Sequence, residues 1–142
     1  MSRVRPMLQS LAAVTVLVPS YAEGLAFFRD VLGFRVLEDT PLSPAKHWVS
    51  VAPSAGVGAA LVLAVPADER QRTRIGDQTG GRVGFFLHSD DFWADYDKLR
   101  KRGVTFLETP RAEPYGLVAV FADPWGGKWD LLQPAGGGAE TS

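Results

Sequence analysis

The sequence predicts an α+β fold in which two βαβββ modules form a curved eight-stranded mixed sheet, or cup, with the helices on the outside. Residues 33–41 (GFRVLEDTP) and 103–110 (GVTFLETP) repeat, which places Gly33 and Gly103 70 residues apart. A helix-like run precedes each glycine, and a β-rich run precedes each helix. A repeat at this spacing indicates a duplicated module. Two such modules can enclose a cavity for a small molecule.

The first module is expected to follow this order between about residues 10 and 66. Its helix should span residues 21–32, because Ser20 is a good N-cap and Gly33 can end the helix in a left-handed conformation. The alternating, valine-rich VTVLV favours a strand over a signal peptide at the N-terminus. The four strands of this module are predicted at residues 11–18, 34–39, 48–52 and 59–65.

The second module should occupy residues 82–134, after a polar linker at 67–81. Asp90 is the predicted cap of a helix at 91–102, and residues 123–127 (DPWGG) predict a tight turn. Residues 135–142 form a Gly-rich tail that is expected to fray. The strands of this module are predicted at residues 82–89, 104–108, 117–122 and 128–133.

Composition narrows the possible functions of this single domain. The chain has 142 residues, a net charge of −1 and no cysteine. The near-neutral charge argues against nucleic acid or an anionic membrane as a partner. The lack of cysteine excludes disulfides and thiolate chemistry and is typical of a cytoplasmic protein. No run approaches the roughly 18 apolar residues of a membrane span.

Three segments resemble the vicinal oxygen chelate superfamily, the group of glyoxalases, bleomycin resistance proteins and extradiol dioxygenases. These segments are LAFFRDVLGF in the first module, and HSDDFWADYDKLRKRGVTFLETP with FADPWGGKWDLLQP in the second. The resemblance covers about residues 11–134. It implies the cup-shaped fold and, in the enzymes of the family, a divalent metal held inside the cup by histidine and carboxylate ligands.

The metal ligands that the resemblance implies are mostly missing. The two histidine positions fall at Ala13 and Gly84, and the carboxylate positions fall at Ala60 or Leu61 and at Asp130. Only Asp130 carries a donor, whereas a catalytic metal generally needs three protein ligands. We therefore expect no cofactor and a sequestering protein that binds a small, aromatic or planar molecule in an apolar cup.

Strand alternation selects three candidate ligand-binding residues in the second module. Gly84, Phe86 and His88 should share one face of a strand, so that Phe86 and His88 point into the cup if Gly84 does. His88 then binds a ligand or acts as an acid or base; alternatively, it bonds the helix cap at Asp90. An inward Asp130 either binds a cationic or hydroxyl group, or pairs with Lys128, Arg82 or a backbone amide.

Four further side chains complete the set of candidate ligand-binding residues. Trp48 and Tyr115 are predicted as pocket walls, although packing between the modules would explain them equally well. Arg82 could clamp a carboxylate, or could be an exposed charge at the end of a strand. His47 is included because it flanks Trp48.

Two other functions stay open at this point. A metal-dependent lyase or dioxygenase could use a displaced site built from Asp130, His88 and Glu108, with His47 nearby. Otherwise Glu108 and its counterpart Glu38 are expected to fix a repeated turn with the Thr-Pro pairs that follow them. An interaction module without a ligand is the third possibility. A homodimer is expected in each case, because each half has sheet edges to cover.

Overall fold

The computed structural model describes residue 5, residues 7–53 and residues 57–136. Residues 54–56, between the strands predicted at 48–52 and 59–65, and most of the predicted tail lie outside these ranges. The α+β fold with two βαβββ modules is confirmed. The eight predicted strands are present as nine, in two mixed sheets of four and five strands that are not closed into one barrel.

Sheet A contains the strands of the first module in the order β1-β4-β3-β2. Strands β1 and β4 pair in parallel, and the other ladders are antiparallel. The edge strand β2 runs through Pro41 to Ser43, beyond residue 39 where the predicted strand ended. An edge strand tolerates proline because the backbone groups on its outer side have no neighbouring strand to bond, so no inter-strand hydrogen bond is lost there. The strands are β1 (Ala13–Leu17), β2 (Arg35–Ser43), β3 (Lys46–Ala52) and β4 (Ala60–Ala64).

Sheet B repeats this arrangement in the second module, in the order β5-β9-β8-β6. The strand predicted at 104–108 shortens to two residues, and the unpredicted strand β7 pairs with β8 beyond Pro110. Proline has no N–H to donate, so the ladder is interrupted there. The strands are β5 (Val83–His88), β6 (Thr105–Phe106), β7 (Arg111–Glu113), β8 (Gly116–Ala122) and β9 (Lys128–Pro134).

The helices begin at short polar side chains that cap their free N–H groups. Helix α1 (Tyr21–Leu25) is capped by Ser20, whose Oγ accepts from the Glu23 N–H at 3.1 Å. It continues as a π-helix over Ala26–Val31. Asp91, one residue after the predicted Asp90, caps α3 (Phe92–Lys101). The linker contains the unpredicted single turn α2 (Glu69–Arg72). No helix in the described ranges is long and apolar enough to cross a membrane.

One hydrophobic core lies between the helices and the sheets and joins both modules. The Phe28 ring of the first module lies 5.7 Å from the fully buried Trp129 of β9. The Arg102 guanidinium at the end of α3 donates to the Val31 carbonyl at 2.8 Å. Both helices therefore cover the same side of the molecule. The opposite side of each sheet, here called its open face, carries exposed side chains such as Trp48 and Phe86.

The two sheets meet along β1 and β5 without forming a ladder. Both strands line a narrow cavity that also contains Gln78 of the linker. The Gln78 side chain accepts from Leu17 N–H at 2.6 Å and donates to the Thr15 carbonyl at 3.1 Å. These are backbone groups that β1 would otherwise offer to a neighbouring strand. The linker thus covers the edge of β1 and keeps the two sheets separate.

Replacing Gln78 should weaken this junction. We expect Q78A to lower the free energy of unfolding by about 1–2 kcal/mol, because two backbone groups lose their partner. Hydrogen exchange of the Leu17 amide should accelerate in the same variant. Q78E keeps an acceptor for the Leu17 N–H but presents a carboxylate oxygen to the Thr15 carbonyl, so it should be less stable than wild type while protecting the Leu17 amide better than Q78A does. Unchanged exchange at Leu17 in Q78A would contradict this role.

Candidate functional site

The open face of sheet B carries two rows of side chains that the strand register aligns. In the first row, Phe86 of β5 lies directly opposite Asp130 of β9, which lies opposite Val120 of β8. The second row runs from His88 through Leu132 and Val118 to Arg111 of β7. Paired residues on adjacent strands are about 5 Å apart. This places an acidic and an aromatic side chain next to each other on a mostly apolar surface.

Asp130 is the one polar side chain with a buried, unsatisfied atom among the described residues. Its Oδ1 is shielded from solvent and has no hydrogen-bond partner. Burial raises the pKa of the Asp130 carboxyl, and the charge of Glu108 raises it further, while Arg111 acts in the opposite direction. The alternative considered for Asp130, a pairing with Lys128, Arg82 or a backbone amide, is not observed at Oδ1. Asp130 therefore retains a free acceptor.

Arg111 organises the charges beside Asp130. Its Nε lies 3.1 Å from Glu108 Oε2 and its Nη1 lies 2.5 Å from Glu113 Oε2. The Tyr115 hydroxyl is 3.5 Å away. These acceptors raise the pKa of the Arg111 guanidinium above its already high value, Glu113 having the largest effect. Glu108 also accepts from the Val120 N–H at 3.1 Å, which ties the network to β8.

Trp48 is held on the open face of sheet A by the counterpart of Glu108. Its Nε1–H donates to Glu38 Oε1 at 2.7 Å, and the Ser50 hydroxyl donates to the same oxygen at 3.1 Å. The neighbouring Val49 and Val51 are buried on the helix side. The Trp48 ring remains 41% exposed. Glu38 thus fixes an aromatic side chain, where a turn-forming role was expected.

The structure brings together some of the sequence-predicted residues and separates others. Phe86, His88 and Asp130 share the open face of sheet B, and Tyr115 lies at its margin beside Arg111. The His88 imidazole has no partner among the described residues, so the predicted bond to Asp90 is absent. Arg82 precedes β5, and its carbonyl accepts from the Thr79 hydroxyl at 2.6 Å.

His47 lies on the other side of sheet A from Trp48. The Tyr21 hydroxyl bonds both the N–H and the carbonyl of His47, at 3.1 and 3.2 Å, and the two rings lie 5.3 Å apart. Its Nδ1 is 3.2 Å from Asp39 Oδ1. This histidine therefore stabilises the contact between α1 and sheet A and does not reach the open face.

The positions that correspond to metal ligands do not form a metal site. Ala13 and Ala60 pair with each other across β1 and β4 and contribute only methyl groups; Leu61 faces the core. A bulge at Gly84 interrupts the predicted alternation, and a Cβ there would lie 2.9 Å from the Thr79 methyl. Among the residues that the structure describes, no three His, Cys, Asp or Glu side chains converge. The residues present do not fit the metal of the family enzymes.

Arg111 and Glu113 were not among the sequence-predicted site residues, because they lie between the strands predicted at residues 104–108 and 117–122. The two side chains alternate at i and i+2, as strand residues on one face do. A three-residue strand is too short for such alternation to stand out. A groove of about 320 Å³ opens beside this strand and is lined by Ala112, Glu113, Leu117, Gln133, Pro134 and Ala135.

The raised pKa of Asp130 predicts a pH-dependent stability. A carboxyl whose pKa is higher in the folded state favours folding when protonated, and this contribution is lost as pH rises through that pKa. Near pH 7 the ionised group is poorly solvated. We expect D130N to raise the free energy of unfolding by about 1 kcal/mol at pH 7 and to have little effect below pH 4. Denaturant titrations at both pH values test this.

The control for this prediction is D97N, which removes an exposed carboxylate on the outer side of α3. It should leave the stability unchanged at both pH values. Equal stability of D130N and wild type at pH 7 would mean that the Asp130 carboxylate is not penalised in the folded state.

Comparisons with known proteins agree with the fold. The family model described as Glyoxalase/Bleomycin resistance protein/Dioxygenase superfamily matches residues 10–131. An uncharacterized protein of Shewanella frigidimarina is 41% identical over 128 residues, which cover 89% of this chain and 95% of that protein. The structure of UcmS2 is 32% identical, with a TM-score of 0.76 and coverage of 89% of this chain and 98% of the other.

A further structural neighbour is described by its ligand class. TnmS3, an antibiotic binding protein from Streptomyces sp. CB03234, is 29% identical to this chain, with a TM-score of 0.73. The alignment covers 92% of this chain and 100% of TnmS3.

Proposed function

Because the chain belongs to the glyoxalase/bleomycin resistance protein/dioxygenase superfamily, we propose that it binds a small planar aromatic molecule on its open face and needs no metal ion to do so. One observation carries the proposal: Phe86 is 63% exposed and lies directly beside the free acceptor of Asp130. Phe86 lies on the edge strand β5, and covering its exposed ring would remove apolar surface from water. An aromatic ring stacked on Phe86 would do so.

Two further observations support this proposal. TnmS3 is described as an antibiotic-binding protein, and similarity at 29% identity over almost the whole chain makes small-molecule binding a reasonable expectation. The indole of Trp48 offers a second exposed aromatic surface that is already fixed in orientation by Glu38. A side chain that is held in place before binding loses little conformational entropy when a ligand stacks on it.

The alternative, a metal-dependent lyase or dioxygenase with a displaced site, receives less support. Asp130 and Glu108 are close enough to influence each other electrostatically, but no third donor joins them in the described part of the chain. Elemental analysis of protein purified without chelator tests the point. Stoichiometric Ni, Zn, Fe or Mn would overturn the metal-free proposal.

We also propose that the protein is a homodimer in the cytoplasm. Phe86, Trp48 and Tyr115 are exposed, and a second copy placed over the open faces would enclose a ligand between them. Sedimentation velocity should show a species of twice 15.4 kDa, and a monomer at all concentrations would contradict the dimer. The lack of cysteine fits the reducing cytoplasm; recovery from the periplasm would contradict this location.

Binding itself is tested with simple planar aromatics. Isothermal titration calorimetry with naphthalene derivatives should give saturable binding that is unchanged after treatment of the protein with EDTA. Absence of saturable binding by every such compound would overturn the proposed function. Binding that disappears with EDTA would instead favour the metal-dependent alternative.

A further inference from the structure

We infer that the aromatic ligand carries an ammonium group, and that Asp130 receives this group while the ring packs on Phe86. The inference rests on the proposed function and specifies the chemical class of the ligand. It follows from three features of the open face of sheet B: an acceptor without a donor, a neighbouring guanidinium that is already occupied, and an excess of carboxylates.

The first feature is the state of Asp130. Its Oδ1 is shielded from water and accepts no hydrogen bond. A buried polar atom without a partner destabilises the folded state. Such atoms are rare in native proteins and call for a partner that the isolated chain does not supply. Asp130 as a whole is only partly buried, and its carboxylate has no partner among the described residues, so a donor on a molecule beside the Phe86 ring can bind it from the open face.

The second feature is that Arg111, whose charge influences Asp130, cannot fill this role. Arg111 influences Asp130 electrostatically. Its guanidinium, however, is bound by Glu108 and Glu113 and lies near the Tyr115 hydroxyl. Turning toward Asp130 would break two charge-assisted hydrogen bonds, which are about twice as strong as neutral ones. Arg111 therefore stays with its partners and leaves Asp130 free.

The third feature is the balance of charge. Asp130, Glu108 and Glu113 contribute three carboxylates, against the single guanidinium of Arg111. Lys128 lies two residues before Asp130 on β9 and forms no ion pair in the described part of the chain. Even when Lys128 is counted, the carboxylates are in excess. A ligand carboxylate would be repelled here, whereas an ammonium would be attracted and would donate to the Asp130 carboxylate.

Three naphthalene probes of similar size separate these possibilities: 1-naphthylmethylamine, 1-naphthalenemethanol and 1-naphthoic acid. At neutral pH they carry a positive, zero and negative charge. Calorimetry on the wild-type protein should give at least tenfold tighter binding for the amine than for the acid, with the alcohol between them. Equal or tighter binding of the acid or the alcohol would overturn the inference while leaving aromatic binding intact.

The variant D130N adds a test that is specific to one side chain. It should weaken binding of the amine at least tenfold, to about the affinity of the alcohol, and should leave the alcohol itself unchanged. D97N should bind all three probes as the wild-type protein does. Unchanged affinity of D130N for the amine would overturn the inference. Failure of all three probes to bind would instead overturn the proposed function on which it rests.

Discussion

D123A is expected to lose about 4 kcal/mol of unfolding free energy, the largest effect of a single substitution that we predict for stability. Asp123 is 7% exposed and lies in the turn between β8 and β9. Its Oδ1 accepts from the Trp125 and Gly127 N–H groups at 3.0 and 2.8 Å. Its Oδ2 accepts from the buried Trp129 indole at 3.0 Å.

The size of the effect follows from the hydrogen-bond donors that D123A leaves without an acceptor. Three N–H donors lose one shared acceptor, and each hydrogen bond to a charged group contributes about 1.5–3 kcal/mol. They are not additive, because a single carboxylate serves all of them. In a chain of this size, a loss of 4 kcal/mol lowers Tm by about 10 °C or more. Differential scanning calorimetry and urea titration measure both quantities.

Two further variants, D123N and D97A, serve as comparisons for D123A. D123N keeps Oδ1 for the backbone donors but presents an amide N–H₂ to the Trp129 indole, so about half of the loss is expected. D97A removes an exposed carboxylate and should change the stability by less than about 0.5 kcal/mol. A loss below 1 kcal/mol in D123A would show that this turn does not depend on the carboxylate.

The repeated module could be predicted from the sequence because local sequence preferences and the tertiary structure agree at its helix ends and strands. The glycines Gly33 and Gly103 both have positive φ, 77° and 91°, and each follows a helix as expected. The alternation of β5 placed Phe86 and His88 on one face, and the register with β9 adds Asp130. These features depend on a few neighbouring residues, so one sequence is sufficient to predict them.

Other features depend on contacts that the sequence does not display. The helix that begins with α1 continues as a π-helix over Ala26–Val31, which includes the buried Phe27 and Phe28, and the apolar spacing of the sequence does not distinguish this π-helix from a regular α-helix. The separation of the two sheets depends on Gln78, whose partners Leu17 and Thr15 lie about 60 residues away. Such long-range hydrogen bonds leave no periodic trace in the chain.

One assignment could have been refined from the sequence alone. His47 and Trp48 are consecutive in a strand, so only one of them can lie on the open face. Both were named as candidates, and the structure places Trp48 there and His47 against Tyr21. The charged neighbours of Asp130 were harder to predict, because β7 is short and meets Asp130 only through the intervening β8.

The largest expected effect on ligand binding is that of F86A. The side chain lies opposite Asp130 and exposes 63% of its surface. Removing it takes away the ring on which the ligand would stack, and we expect all three naphthalene probes to bind at least tenfold more weakly, a loss of about 1.4 kcal/mol. Because the ring is exposed in the free protein, the unfolding free energy should change little. Calorimetry and urea titration on the same samples test both statements.

Two other variants, W93A and D130N, serve as controls for this prediction. W93A removes another exposed aromatic ring, 52% accessible, from α3 on the helix side of the sheet, and should bind the probes normally. D130N should affect the amine alone, whereas F86A should affect the amine, the alcohol and the acid to the same degree. A protein that binds through its open face must show this separation between the apolar and the charged contact. If F86A and W93A weaken binding equally, the probes bind elsewhere on the molecule, and Phe86 is exposed for another reason.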